Sequence, residues 1–471
     1  MREELRRAEI VEFAEGDDRV LFFPRTLRFS RIDGKMLSIL GDYRAGAEIE
    51  DLAEERNLDA GRVSASLAAI SELSGECAAV RQERTAPAER RRAKLPKAVL
   101  MVNNYCNLKC RYCYQESTLF AKPAAQMPVE VLRSALSKLY AAFDSIGQIM
   151  FIGGEPSLSE AVIEQACIHA NAIAGEKKCA APGFCMISNG SRMTEGLFGI
   201  VKRFGIQVTF SIDGPKNVND LVRIRKDNSG TYDDVVRNLK TYSRECGGKT
   251  GVESTLTRFH QDAGVTVRQT LEFCAGTLGV REPHITVAAL PKGDPNRADA
   301  SVMRWQFEEA AAFSMDNLLA EGKAAARLDM VGAFVGRLTK REPKLDMCPA
   351  GLAQIVVDVH GEVYPCWMFS GIPEYRMGNV LRDGIFDEPA QLVLERIERN
   401  SKDNNPRCRT CYARYLCANC IGNRHNENGC IEGCDEDYCE RVRAVLRVVV
   451  LKLAGADAPA RALASGMRQR C

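Results

Sequence analysis

Three cysteines, Cys106, Cys110 and Cys113, stand in the order C-x3-C-x2-C directly after an apolar stretch. Three thiolates on one loop can each take one iron of a [4Fe–4S] cube, leaving a fourth iron open to chelate a ligand. Soft thiolates suit zinc as well. A structural zinc site, however, wants four closed ligands, and no fourth Cys or His stands nearby in sequence. A second set lies far downstream. Cys348 is followed by Gly361 and Cys366, then by Cys408, Cys411, Cys417, Cys420, Cys430, Cys434 and Cys439. Taken alone, that region also fits a pair of zinc ribbons.

The rest of the composition sharpens what these thiols are for. The chain has 471 residues, room for two to four domains, and a net charge of +2, which points to neither nucleic acid nor a membrane surface. Its first residues, MREELRRAEIVEFAEGDD, carry no apolar signal region. The late apolar run Val445 to Ala454 is short and interrupted by Arg447 and Lys452, so it cannot span a bilayer. A cytoplasmic protein is expected, and 19 cysteines in a reducing compartment indicate metal rather than disulfides. Cys77, Cys167, Cys179, Cys185, Cys246, Cys274 and Cys471 lie outside both sets and read as inert thiols. The five histidines show no ligand spacing.

The elements that must position these residues follow from periodicity. Residues 19–31 read as two short strands around Pro24, and Asp33 caps a helix through Tyr43. Helical patterns follow at Ile49–Glu55 and Gly61–Leu73. Strands and three helices in so short a span suggest a winged-helix module over 1–80. Residues 81–97, polar, basic and holding Pro87 and Pro96, read as a linker. From Ala98 onward strands and helices alternate. Strands are expected at Ala98–Asn103, Gln148–Ile152, Gly183–Ile187, Gln207–Ile212, Val252–Leu256 and His284–Ala288, with helices such as Val129–Ala142 and Tyr232–Ser243 between them. This alternation predicts parallel βα units over 98–325. A helix follows at 303–322, the cysteine-rich region fills 326–440, and a last helix and tail cover 441–471. Gly248-Lys249-Thr250 ends like a phosphate-binding loop, but it follows a helix and lacks the first glycine, so it is discarded.

The first cysteine loop, with Tyr112 before its last cysteine, resembles the signature of the radical S-adenosylmethionine (SAM) enzymes. Gly153-Gly154-Glu155-Pro156 is similar to that family's GGEP turn. Glycines there allow close backbone approach, and a carboxylate meets the ammonium of the methionine moiety. Ser188-Asn189 and Ser211-Ile212-Asp213, each at a strand end, resemble the family's ribose-contacting positions, and Arg223 its partner for the SAM carboxylate. The resemblance places Tyr112 beside the adenine. It implies a partial (β/α)6 barrel with the site at the strand C-terminal ends. It implies one-electron cleavage of SAM to a 5′-deoxyadenosyl radical that removes hydrogen from an unactivated carbon, fed by a reductase or flavodoxin-type electron donor.

The second set resembles the SPASM extension of radical SAM peptide-modifying enzymes, save that two residues rather than three separate Cys417 and Cys420. The resemblance assigns Cys348, Cys366 and Cys420 to a first auxiliary [4Fe–4S] cluster, and Cys408, Cys411, Cys417 and Cys439 to a second. Cys434, or alternatively Cys430 or a substrate thiolate, would complete the first. With the SAM-binding cluster this makes three.

The N-terminal module is similar to PqqD-like recognition elements, which bind a leader peptide along a sheet edge. A DNA-binding winged helix is the alternative, but the stretch 60–73 carries only one basic residue, Arg62. Formylglycine-forming maturases place an Asp base directly after the second SPASM cysteine, where this chain has Trp367. The layout resembles thioether-forming maturases, those of quinohemoprotein amine dehydrogenase among them. It implies a small Cys- and acid-containing partner protein in which Cys sulfur is joined to an Asp or Glu side-chain carbon. Carbon–carbon crosslinking, formylglycine formation and a zinc-binding adaptor are the other readings.

Overall fold

A computed structural model describes residues 1–75, 94–115, 123–247, 249–382, 384–386 and 388–456. Cys77, Cys471 and most of the expected linker lie outside them. The N-terminal unit starts with a helix Arg2–Arg7, then strands β1 (Val11–Glu15), β2 (Asp18–Phe23) and β3 (Arg28–Arg31), then helices Gly34–Ala45, Ile49–Glu55 and Ala60–Leu73. The first helix and β1 were not anticipated. Asp33 and Asp59 cap their helices by accepting from the N–H of Met36 and Arg62. Alternation along β2 sends its side chains to two cores. Leu21 and Phe23 pack on the small helices with Leu5, Ile39, Leu52 and Leu67. Val20 and Phe22 turn the other way, into a core shared with the helices Ala300–Glu321 and Glu436–Gly455.

The central sheet has nine strands in the order β12-β11-β10-β4-β5-β6-β7-β8-β9. Its six parallel strands β4 (Lys94–Met101), β5 (Ser145–Ile152), β6 (Gly183–Ser188), β7 (Gln207–Ser211), β8 (Gly251–Leu256) and β9 (His284–Val287) run in chain order. Helices such as Val129–Ala142, Glu160–Glu176 and Tyr232–Glu245 cross between them. This is the α/β partial barrel expected from the alternation. The strands' apolar faces, among them Val99, Ile149, Met186, Val208 and Phe210, are buried against those helices.

The sheet does not stop where the barrel was expected to end. β10 (Gln354–Val357) pairs in parallel with β4, and β11 (Glu362–Tyr364) and β12 (Gly378–Asn379) continue it antiparallel. The cysteine-rich region is therefore hydrogen-bonded to the barrel's first strand rather than tethered to it. Lys94–Lys97, expected as linker, belongs to β4. Among the described residues no helix is long and apolar enough to cross a membrane.

Candidate active site and metal centres

The first cysteine loop leaves β4 beside the end of β5. Asn103, fully buried, ties the two ends together: its amide donates to the Glu155 carbonyl (2.7 Å) and Ser159 Oγ (2.8 Å). The Glu155 N–H donates to the Tyr105 carbonyl at 2.9 Å. Farther on, Lys109 N–H donates to Ile224 O and Arg111 N–H to Val222 O, lacing the loop to the segment that carries Arg223. Cys106, Cys110 and Cys113 thus lie within electrostatic reach of one another, with Arg223 facing Cys110 and Cys106. Burial pushes the thiols of Cys106 and Cys110 up, to about 12 and about 11. Only a bound metal would deprotonate thiols so placed.

The turn Gly153–Pro156 makes room that no other residue would leave. A Cβ on Gly153 would stand 2.5 Å from the Asn103 carbonyl oxygen, and one on Gly154 would meet the Tyr105 carbonyl. Glu155 is 1% exposed, and burial raises its pKa against the hydrogen bonds that lower it. Its Oε1 accepts from Ser157 N–H (2.9 Å) and Ser188 Oγ (2.7 Å), and its Oε2 from Asn189 N–H (2.7 Å). One lone pair on Oε2 is left for an ammonium. The same carboxylate therefore pins the β6 end, a task the sequence did not disclose. Asn189 in turn donates to Asn107 Oδ1 (2.9 Å) and stands 3.6 Å from Cys106 Sγ.

Asp213 and Arg223, both buried, and half-buried Tyr112 form one hydrogen-bonded group. The Tyr112 hydroxyl donates to Asp213 Oδ2 at 2.8 Å and accepts from Arg223 Nη1. Asp213 Oδ1 accepts from Thr255 N–H at 2.9 Å, and His260 Nε2 lies 2.6 Å from the Asp213 carbonyl. His260 is a core histidine, its pKa lowered by burial. Arg223 Nε is buried with no hydrogen-bond partner. A buried guanidinium N–H without an acceptor is costly, and it fits a carboxylate-bearing ligand. Ser211 ends β7 on the lumen side of the barrel. With the glycine cradle and the three thiols, the chain's residues fit a SAM-chelating cluster. Its holders would be Cys106, Cys110 and Cys113, flanked by Tyr112, Gly153, Gly154, Glu155, Ser188, Asn189, Ser211, Asp213 and Arg223.

The downstream cysteines form two further nests. Cys348, Cys366 and Cys420 interact with one another. Cys420 Sγ accepts from Asn423 N–H at 3.4 Å, at the start of the helix Ile421–Asn428. Tyr114 lies between Cys113 and Cys366, within electrostatic reach of both, and bridges the first loop to this nest. The other nest lines a cavity of about 450 Å³ and holds Cys408, Cys411, Cys417, Cys439 and Cys434.

That membership corrects one expectation. Cys434 does not complete the Cys348–Cys366–Cys420 set. Its sulfur is 3.5 Å from Cys408 Sγ, and it is hydrogen-bonded with Cys439 as well. The reason is local: the left-handed turn at Gly433 sends the chain straight into the helix Glu436–Gly455 that carries Cys439. Cys430 is hydrogen-bonded to the Glu432 carbonyl (3.9 Å) in the preceding turn. Among the described residues no three His, Cys, Asp or Glu converge as a single-ion site requires.

Lys402 was not foreseen. It is 5% exposed, and its ammonium donates to the carbonyls of Lys344, Arg414 and Cys417, each at 2.7 Å. Burial lowers its pKa to about 8 against the pull of Cys417 and Cys408. A buried cation thus sits in the wall of the five-thiol nest. A lone lysine in a polar stretch gives no sequence signal for this.

Comparison with known proteins agrees with the geometry. Residues 100–263 match the radical SAM superfamily, and residues 348–412 match the SPASM iron–sulfur cluster-binding domain. An uncharacterised protein of Methanocaldococcus jannaschii is 29% identical over 148 residues; the match spans 31% of this chain and about half (49%) of that protein. A cysteine-type anaerobic sulfatase-maturating enzyme of Clostridium novyi is 21% identical over 361 residues, covering 74% of this chain and 93% of that one. The fold is shared with anSMEcpe bound to AdoMet (TM-score 0.63, 17% identity, 79% of this chain and 98% of that one). It is also shared with Streptococcus suis SuiB bound to its precursor peptide SuiA (TM-score 0.52, 14% identity, 91% and 98%).

Proposed function

We propose that this radical SAM enzyme, a peptide-modifying type whose cofactors are SAM and iron–sulfur clusters, joins cysteine sulfur to an Asp or Glu side-chain carbon in a small partner protein. The observation that carries the reading is the juxtaposition of a peptide-sized docking sheet with the cluster nests. The N-terminal sheet β1–β3 packs directly on the helix that bears Cys439, and β3 is an edge strand of that sheet among the described residues. A leader segment laid along such an edge gains backbone hydrogen bonds whatever its sequence. Its reactive part is then held near the barrel mouth.

When bound, SAM and its cluster supply one-electron cleavage of a sulfonium and hence hydrogen-atom abstraction from an unactivated carbon. The chain's own residues do the rest. Arg223 and Glu155 offer a cation and an anion to a zwitterion. Tyr112 and Asp213 hold that arginine. The barrel wall excludes water. The auxiliary nests, Cys348–Cys366–Cys420 and Cys408–Cys411–Cys417–Cys439 with Cys434 beside it, would hold the remaining clusters. A reductase or flavodoxin-type protein would deliver the electron, and the many thiols suit a reducing cytoplasm.

Formylglycine formation is the second reading. It is favoured by the similarity to a cysteine-type anaerobic sulfatase-maturating enzyme, and opposed by Trp367 at the position of that chemistry's base. The test is mass spectrometry of a small Cys- and acid-rich protein co-expressed with the enzyme. Loss of two hydrogens with the cysteine closed to alkylation supports the thioether. A product whose cysteine is converted to an aldehyde, or left open to alkylation, refutes it.

A further inference from the structure

Three neighbouring strands carry one polar row into the barrel lumen. Along β7, β8 and β9 the residues Val208, Phe210, Val252, Leu256 and Ile285 are buried in the core. The alternate residues, Ser211, Glu253 and His284 among them, therefore face the other way. Ser211 is the register partner of Glu253, and Glu253 that of His284. Neighbouring strands lie about 4.8 Å apart, so the row runs from the strand end assigned to SAM toward the barrel's open edge.

Glu253 is half-buried on the same face as Ser211, the residue that ends β7. Its carboxylate acts electrostatically on Tyr114, which is itself within reach of Cys113 and Cys366. It thus looks onto the space between the first cysteine loop and the nearer auxiliary nest. It makes no side-chain hydrogen bond among the described residues. Behind it, His284 Nδ1 lies 2.6 Å from Asp329 Oδ2, and Asp329 Oδ1 accepts from Met330 N–H at 2.8 Å. Asp329, with Glu253 assisting, holds the imidazole protonated up to about 9. At neutral pH His284 is a cation paired with Asp329, and Glu253 lies within electrostatic reach of it. A carboxylate without a hydrogen-bond donor of its own can accept a proton from a group that comes within reach.

We propose that Glu253 takes the thiol proton of the substrate cysteine, with His284 and Asp329 as positioning residues. This rests on the thioether reading. In the step a C–S bond forms while an S–H and a C–H bond break. The hydrogen atom leaves on the adenosyl carbon of SAM as 5′-deoxyadenosine. The proton goes to Glu253, and the remaining electron goes to an iron–sulfur cluster. Trp367 offers no carboxylate directly after Cys366, and Glu253 on β8 is the alternative source of one.

The experiment uses full-length holoenzyme with its partner protein. It compares Glu253→Gln, Glu253→Asp and His284→Gln with wild type for iron content, peptide Kd and thioether formed per 5′-deoxyadenosine released. General-base removal costs on the order of 100-fold or more, so that ratio falls by about 100-fold in Glu253→Gln while iron and peptide Kd hold. His284→Gln lowers it less. An unchanged ratio in Glu253→Gln overturns the proposal, as does loss of peptide binding with the ratio intact. Should Glu253→Gln lose its iron, Glu253→Asp, which draws the carboxylate back, decides: a lowered ratio supports the proposal, and a wild-type ratio overturns it. Absence of thioether from the wild type itself refutes the parent reading instead.

Discussion

Gly154→Ala is the sharpest probe of the first cysteine loop. Gly154, two residues past β5, lies against the turn that precedes Cys106. An added Cβ would overlap the Tyr105 carbonyl and stand 2.9 Å from the Cys106 nitrogen. Carbon atoms prefer separations of about 3.5–4.0 Å, so the loop and the turn must part by about 1 Å. Neither side yields easily, because Glu155 N–H is bonded to that same Tyr105 carbonyl and Asn103 clamps both segments. Overpacking of this kind costs about 1–3 kcal/mol. Displacement of a reacting group by about 1 Å costs on the order of 100-fold in rate. The expected result is selective loss of the first cluster, about four of about twelve irons. Release of 5′-deoxyadenosine falls by about 100-fold, and the denaturation midpoint drops. Gly199→Ala, in the helix Glu195–Phe204 with nothing within 4 Å of its Cβ, is the control and leaves all three measurements at or slightly above wild type. Wild-type iron and release rate in Gly154→Ala would refute the close-approach argument.

Other perturbations follow from the same coordinates. Lys402→Met leaves three buried carbonyls without their donor and should cost about 3–5 kcal/mol, read as a lower urea midpoint with loss of iron from the five-thiol nest; an unchanged midpoint contradicts it. Asp213→Asn strips the Tyr112–Arg223 group of its buried anion, and destabilisation of about 3–5 kcal/mol with weaker SAM binding in equilibrium dialysis is expected. His284 titrates above its ordinary 6.5, at about 9. The contribution is therefore complete below pH 6.5 and is lost as pH rises through 9, so the urea midpoint should decline across that window. Asp329→Asn should flatten the decline, and a slope that survives this change assigns it to another group.

The chemistry was more legible than the architecture. Cys106, Cys110 and Cys113 announced themselves because cluster ligation fixes both residue type and spacing, and the six parallel strands because buried strands alternate with helices. Two features were not legible. β10–β12 are only two to four residues long, too short for a periodic signal, and their pairing with β4 depends on register rather than composition. Cys434 was assigned to the wrong nest because spacing along the chain does not report the turn at Gly433. Lys402 and Glu253 carry no pattern at all; a cation is significant only when three carbonyls face it, and a carboxylate only when a lumen does.

The seat of the N-terminal sheet has a consequence for how the protein matures. Phe13 of β1 sets its ring edge-on to Tyr412, centroids 5.3 Å apart, one residue beyond Cys411. Arg447, two turns past Cys439 on its helix, donates to the Ala14 carbonyl at 2.6 Å. The ground on which the sheet rests is thus built from chain segments that also carry Cys411 and Cys439. Metallation and recruitment become successive steps of one assembly line. On the proposed docking of a leader at this sheet, removal of iron should weaken partner binding as well as modification.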